Sequence, residues 1–291
     1  MIVAVLGASG VVGRNLLPRL LEAGHRVRAG MRHRTSAADI DGVEQIETNI
    51  LDRAAVQQLV TGADALIHIA SSIPRPDGKG SGSWPEYDRI RREGAKNTVF
   101  ACNEAKIPLI AQSIAMLHCA EQRSPQNEAS PLSAKGPRLP ALDSERAFTE
   151  WDGDYRIVRG AALYGPGTSI DEAWFERYER RELVAPGDGS DFISPIHVAD
   201  LAAAFRVVLE RGAARSAYIA ADDEPLRYTE LYEIVAALSG QKRGAVGVGG
   251  VAELPGFNVS NAKLRTLGWA PCYASVRSGL VATADRFSSA R

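Results

Sequence analysis

The sequence predicts an α/β fold, a doubly wound parallel sheet with a smaller C-terminal lobe, and three observations carry that expectation. Residues 2–6 are a short apolar run that turns off through glycines at Gly7, Gly10 and Gly13. Six further short apolar runs alternate along the chain with segments of helical periodicity, the rhythm of strand-helix-strand units on one parallel sheet. The chain has 291 residues, enough for one large domain or for a sheet domain plus a small lobe.

Taken in order, strands are expected at residues 2–6, 26–30, 43–47, 65–69, 109–112, 156–158 and 217–220. Helices are expected at 11–23, 53–60, 86–105, 142–151, 198–211 and 228–238, where apolar residues recur at helical spacing. Pro18 lies inside the first helix and is expected to kink it, because proline has no N–H for the helical ladder. Residues 73–83 and 121–140 resist regular structure. Both follow strands on the side where open α/β sheets hold ligands, so they read either as pocket walls or as plain surface loops. After Ala161 the rhythm loosens. This assigns residues 1–160, with 189–222 returning to them, to a nucleotide-binding unit, and 161–188 with 223–291 to a substrate lobe.

Charge and composition exclude several function classes. The formal charge of −1 offers no broad basic face for nucleic acid. No run of eighteen apolar residues is present to span a membrane. With the first strand beginning at Ile2 there is no room for a leader, and a cytoplasmic location is expected. Cys102, Cys119 and Cys272 lack CxxC or CxxH spacing, which fits reduced, packed thiols and no metal site. The expected partner is a small molecule, and the expected state is a monomer or a homodimer.

The glycine turn carries the first chemical signal. Gly7 turns the chain tightly off the strand, Gly10 leaves room for a pyrophosphate, and Gly13 lets the next helix pack close to the sheet. The phosphates then face the helix N-terminus, over Ser9, Val11 and Val12, whose unpaired N–H groups and positive dipole end suit an anion. This is a Rossmann dinucleotide site. At the end of the second strand an NAD site would place an acid, whereas this chain has Arg32 and Arg34. A guanidinium grips a 2'-phosphate in a bidentate way, so NADPH is the expected cofactor, with Arg32 the first choice and Arg34 the second. Asn49 and Ile50 after the third strand, Ala70, Ser71 and Ser72 after the fourth, and Ala161 complete the expected cofactor contacts. His68 lies inside a buried strand and reads as a core histidine rather than a base.

Together these residues resemble the extended short-chain dehydrogenase/reductase family, the NAD-dependent epimerase/dehydratase-like group. The motifs are Gly7-x-x-Gly10-x-x-Gly13 and residues 64–70, 158–167, 194–201 and 267–271, so the likeness runs nearly the whole chain. The resemblance implies a catalytic Ser or Thr after the fifth strand, matched by Ser113, and a pocket-shaping residue beside the nicotinamide, matched by Tyr164. It also implies a Tyr-x-x-x-Lys pair. Here Ala141 and Glu145 stand at those positions, and Arg91 stands where the family has asparagine.

That departure shapes the expected mechanism. Ala141 carries no proton, and Glu145 brings negative charge where the lysine would help a tyrosine ionise. Sugar epimerase and dehydratase readings weaken, because those reactions begin with a base. Two accounts survive. In the first, the chain is an NADPH-dependent ketoreductase whose polycyclic aromatic ketone supplies its own proton from a neighbouring phenol, with Ser113 or water assisting, as the resemblance to angucyclinone-type polyketide ketoreductases of the simocyclinone pathway type implies. Trp84, His118, Trp174 and Tyr178 are then the expected substrate wall, Trp174 and Tyr178 lying four apart on one helix. In the second, it binds NADP(H) as a non-catalytic sensor similar to NmrA-like regulators.

Overall fold

The computed structural model describes residues 1–35, 39–74, 82–118, 124–240, 246–250, 256–281 and 283–285. Its strands are β1 (Ile2–Leu6), β2 (Arg26–Met31), β3 (Val43–Glu47), β4 (Ala65–His68), β5 (Leu109–Ile114), β6 (Tyr155–Gly160), β7 (Ala162–Tyr164), β8 (Leu183–Pro186), β9 (Phe192–Ile193), β10 (Pro195–His197), β11 (Ser216–Ala220), β12 (Leu226–Arg227) and β13 (Val246–Gly250). The helices are α1 (Val11–Glu22), α2 (Arg53–Val60), α3 (Trp84–Arg89), α4 (Ala95–Ala105), α5 (Leu139–Thr149), α6 (Ile170–Glu179), α7 (Val198–Arg211), α8 (Tyr228–Leu238), α9 (Ala262–Arg265) and α10 (Val276–Gly279).

Seven strands form the central parallel sheet in the order β11-β6-β5-β4-β1-β2-β3. Val3 of β1 pairs with Val27 on one side and Ala65 on the other, so the strand order reverses across β1. Ligands of open α/β sheets bind beyond the strand ends at that reversal. Alternation along β1 explains why both faces are covered. Val3 and Val5 join the core under α1 and α7, and Ala4 and Leu6 join the core under α2 and α4. The first of these clusters continues into Tyr164, Phe175, Leu231, Trp269 and Leu280, so sheet and C-terminal segments share one core.

Helix α1 runs through Pro18 to Glu22, within one residue of the expected bounds. The short strands β7, β8, β9, β10, β12 and β13 were not expected, and two features beside the site also differ from the sequence expectation. The helix expected over 86–105 is divided by a π-helical turn, Ile90–Gly94, between α3 and α4. Strand β5 runs two residues past Gln112, because Ser113 and Ile114 still pair with Arg159 and Gly160 of β6. Cys102 is buried and Cys272 exposed, both as free thiols, while Cys119 and parts of the two expected loops lie outside the described residues.

The C-terminal segment is tied down by one buried carboxylate. Asp200 at the start of α7 accepts from the backbone N–H groups of Cys272 at 2.8 Å and Tyr273 at 2.9 Å. Its own carbonyl accepts from Trp269 Nε1 at 3.1 Å. The motif residues at 194–201 and 267–271 therefore meet each other.

The glycine turn leaves no room for side chains at two of its positions. Gly7 has φ of +89°, and a Cβ there would lie 2.6 Å from the backbone of Ala70. A Cβ on Gly13 would lie 2.2 Å from the carbonyl oxygen of Ala8. Gly13→Ala should therefore force α1 off the strand and cost about 1–3 kcal/mol of stability, read by urea unfolding. An unchanged unfolding midpoint would contradict the close contact.

Candidate cofactor and active site

The turn between β1 and α1 fits a dinucleotide pyrophosphate. Gly10 is the helix N-cap, no side chain caps the first turn, and no acid lies in it. The N–H groups and dipole end are thus left facing outward for an anion. Ser9 is half-buried, with its carbonyl accepting from Arg14 Nη1 at 3.3 Å. A Cβ on Gly167 would touch both Arg14 and Val11 at 3.4 Å, so the turn after β7 lies against the start of α1.

At the end of β2, Arg32 donates through Nη1 to Glu86 Oε1 at 2.7 Å, and Ser72 Oγ donates to Glu86 Oε2 at 2.6 Å. Glu86 is set in place by the first turn of α3, whose N-cap Ser83 accepts from the Glu86 N–H. Arg34 is exposed. Asn49 is exposed and turns its Oδ1 to the N–H of Leu51 at 3.0 Å, while Ile50 is buried against Gly94. Ala70 abuts Gly7, and Ser71 is exposed beside it. Ala161 is buried, its N–H donating to the carbonyl of Ala220 at 2.9 Å. The structure thus gathers the glycine turn, Ala70, Ser72 and Arg32 at one edge of the sheet, and sets Ala161 between strands.

The end of β5 is a buried polar layer. Ser113 faces Arg159 across the β5–β6 ladder and is 0% exposed, with no hydrogen-bond partner for Oγ. This differs from the expected position just beyond a strand, and the extra β5–β6 pairing is the reason. Arg159 forks onto Glu145, with Nε 3.0 Å from Oε1 and Nη2 on the same oxygen. Its Nη1 lies 3.0 Å from His118 Nε2. Since a guanidinium only donates, His118 accepts there and carries its proton on Nδ1, which has no partner. Burial, then the Arg159 charge, hold His118 at about 4, so it is neutral near pH 7 and has no imidazolium proton to give. His118 is therefore a buried part of the layer.

Arg91 enters the same layer from the π turn. Its Nη1 donates to the Gln112 carbonyl at 2.7 Å, and its guanidinium rests 5.4 Å from the Tyr87 ring centre. It is 2% exposed, its Nε has no partner, and it makes no ion pair among the described residues. Burial first, and then Arg91, push His68 down to about 3, consistent with a packed neutral histidine.

The remaining expected ligand residues differ in exposure. Tyr164 is fully buried beneath Gly279, where an added Cβ would lie 2.2 Å from its hydroxyl. Its Oη donates to Asp222 at 3.0 Å, which seals it away from a ligand. Tyr178 belongs to the core, while Trp174 is half-buried against it, so the two do not form one exposed wall. Trp84 is 51% exposed at the mouth of a 260 Å³ pocket shared with Tyr87, Arg92, Pro137, Leu139 and Pro140. Sequence reasoning missed Glu86, whose meeting with Arg32 spans 54 positions, and Arg159. Arg91 was visible only as a departure from the family pattern. Among the described residues no three His, Cys, Asp or Glu side chains gather to hold a metal, and no helix is long and apolar enough to cross a membrane.

Glu145 thus serves as the counter-ion of Arg159 at the position where the family has lysine. Glu145→Ala should strand a buried guanidinium and lower unfolding free energy by about 3–5 kcal/mol in urea titrations. Turnover per folded molecule should stay close to that of the unmodified protein. A stability loss under about 1 kcal/mol would mean that the pair contributes little.

A family model described as NAD(P)H-binding matches residues 7–205. A Streptomyces sp protein named 3-diazoavenalumate denitrifying reductase is 28% identical, the match covering 96% of this chain and 99% of the relative. A 2-alkyl-3-oxoalkanoate reductase of Stenotrophomonas maltophilia is 26% identical over 84% of this chain and 77% of its own length. In fold, the chain is similar to dTDP-glucose 4,6-dehydratase from Bacillus anthracis in complex with NAD, with a TM-score of 0.84, 15% identity and coverage of 99% and 97%. It is also similar to UDP-glucose 4-epimerase from Thermotoga maritima, with a TM-score of 0.82, 17% identity and coverage of 100% and 99%.

Proposed function

Because the chain belongs to the NAD(P)H-binding family, we propose that it is an NADPH-dependent reductase of a small ketone on a flat, polycyclic aromatic framework, acting without a tyrosine-lysine relay. One observation carries the reading: the cofactor turn is intact, while Ala141 and the ion-paired Glu145 occupy the relay positions. NADPH, when bound, supplies the hydride. The chain's own part is to hold the pyrophosphate on the α1 N-terminus, to receive the 2'-phosphate on Arg32, and to keep water from a dry layer around Ser113. The proton comes from a phenol beside the substrate carbonyl, since Ala141 carries none and His118 is held neutral.

A second reading rests on the Streptomyces relative, which this chain matches from end to end. An arenediazonium that takes up hydride leaves as arene and N2, with no alkoxide to protonate. A missing relay suits that chemistry equally well.

The experiment is a pair of substrates. A polycyclic ketone with a phenol beside the carbonyl should be reduced with NADPH, and its phenol methyl ether far more slowly at equal binding. Equal rates would refute proton supply by the substrate. Failure on every such ketone, with N2 release from an aryl diazo compound, would move the assignment to the second reading.

Cofactor choice gives a separate prediction. NADPH should bind more tightly than NADH, and Arg32→Ala should remove about 1.5–3 kcal/mol of that gap, roughly tenfold or more in Kd. Glu86→Gln should tighten NADPH by removing a competing carboxylate. Equal affinity of the unmodified protein for the two cofactors would refute the assignment of Arg32 to the 2'-phosphate.

A further inference from the structure

Three side chains around the end of β5 have donors without acceptors. Arg91 is bonded to the Gln112 carbonyl, Ser113 is the next residue, and Arg159 opposite Ser113 holds His118. Arg91 Nε, Ser113 Oγ and His118 Nδ1 are buried and unpaired. Buried polar groups are almost always hydrogen-bonded, and a buried charge almost always has a counter-ion. Here the two guanidiniums have different fates. Arg159 is neutralised by Glu145, whereas among the described residues Arg91 has only a carbonyl and the face of Tyr87. A layer rich in donors, with one uncompensated positive charge, calls for an anionic oxygen.

A 260 Å³ pocket lies next to this layer: Tyr87, on which the Arg91 guanidinium rests, and Pro140, next to Ala141 at the missing tyrosine position, both line it, together with Asp88 and Arg92. The π turn matters as well, because such turns break the helical ladder and re-aim side chains, often at functional sites. It is the turn that carries Arg91.

We propose that Arg91 is a catalytic residue that receives the substrate's oxygen and stabilises the negative charge growing on it, supplying the cation that the family's lysine would otherwise provide. The proposal rests on the ketone reading above. In a dry layer a guanidinium interacts strongly with an oxyanion and needs little reorganisation during the reaction. Arg91 has no proton to give, so the phenol of the substrate still supplies it. Ser113 Oγ and the His118 Nδ1–H are further neutral donors left unpaired in the same layer.

The test uses the full chain loaded with NADP and two isosteric probes, benzoate and benzamide. Benzoate should bind the unmodified protein and benzamide should not. Arg91→Met should weaken benzoate binding about tenfold or more without changing the Kd for NADP, and Arg91→Lys should recover part of it. Removing an uncompensated buried charge should also raise the thermal midpoint of Arg91→Met, where loss of a merely structural arginine would lower it. On a phenol-bearing ketone, kcat should fall about 100- to 1000-fold with KM for NADPH unchanged. Benzoate that fails to bind the unmodified protein, or binds Arg91→Met equally well, overturns the proposal. So does a lower thermal midpoint in both Arg91→Met and Arg91→Gln. An unmodified protein that binds benzoate through Arg91 but reduces no ketone overturns the ketone reading and leaves the anion site standing.

Discussion

Backbone meets backbone at the first turn, and the arrangement of the rest follows from how little room is left there. Gly7 lies against Ala70 and Gly13 against Ala8, at separations where no side chain fits. The first contact sets the end of β1 beside the end of β4, the place where strand order reverses. The second seats α1 directly on the sheet, and α7 then packs along α1 in the same core. A helix held this close aims its uncapped N-terminus over the strand ends, so one steric constraint fixes both the core and the direction of the anion site.

Electrostatics divides the site into two halves with different rules. At the β2 end the charges are partly solvated, and Arg32, Glu86 and Ser72 form a chain of hydrogen bonds that a phosphate is able to enter by exchange. At the β5 end the charges are dry. There Glu145 and Arg159 satisfy each other, and the pair shapes His118 by making it an acceptor. A carboxylate at the lysine position is thus no vestige of a relay. It lets Arg159 lie inside the sheet layer with its charge matched.

Most of the strand plan was legible because a parallel strand covered on both faces leaves a short apolar run that nothing else imitates. Strand β5 shows where that signal stops. Ser113 and Ile114 fall outside the expected run, yet their pairing with β6 carries the strand through them. The glycine turn was legible for a steric reason, since only glycine fits each position. The expectation for Arg32 came from chemistry alone and did not include its partner Glu86, because a helix start 54 positions away delivers it. Tyr164 shows what a motif leaves out, since its burial against Asp222 and Gly279 depends on segments far along the chain. The π turn left no periodic trace, because one extra residue in a helical register disappears within a longer amphipathic pattern.

The Asp200 latch bears on the order in which the molecule is completed. A ribosome delivers residue 200 well before Cys272 and Tyr273, so the carboxylate emerges ahead of the two N–H groups that will satisfy it. Trp269, Val276 and Leu280 likewise arrive last, yet they share a core with Val3 and Val5. A nascent chain stalled before them would hold a sheet with its strands in place and a hydrophobic flank still open, along with a buried-type acid exposed to water. Closure of the native state is therefore a late event, made when the last segment of the core folds back onto the first.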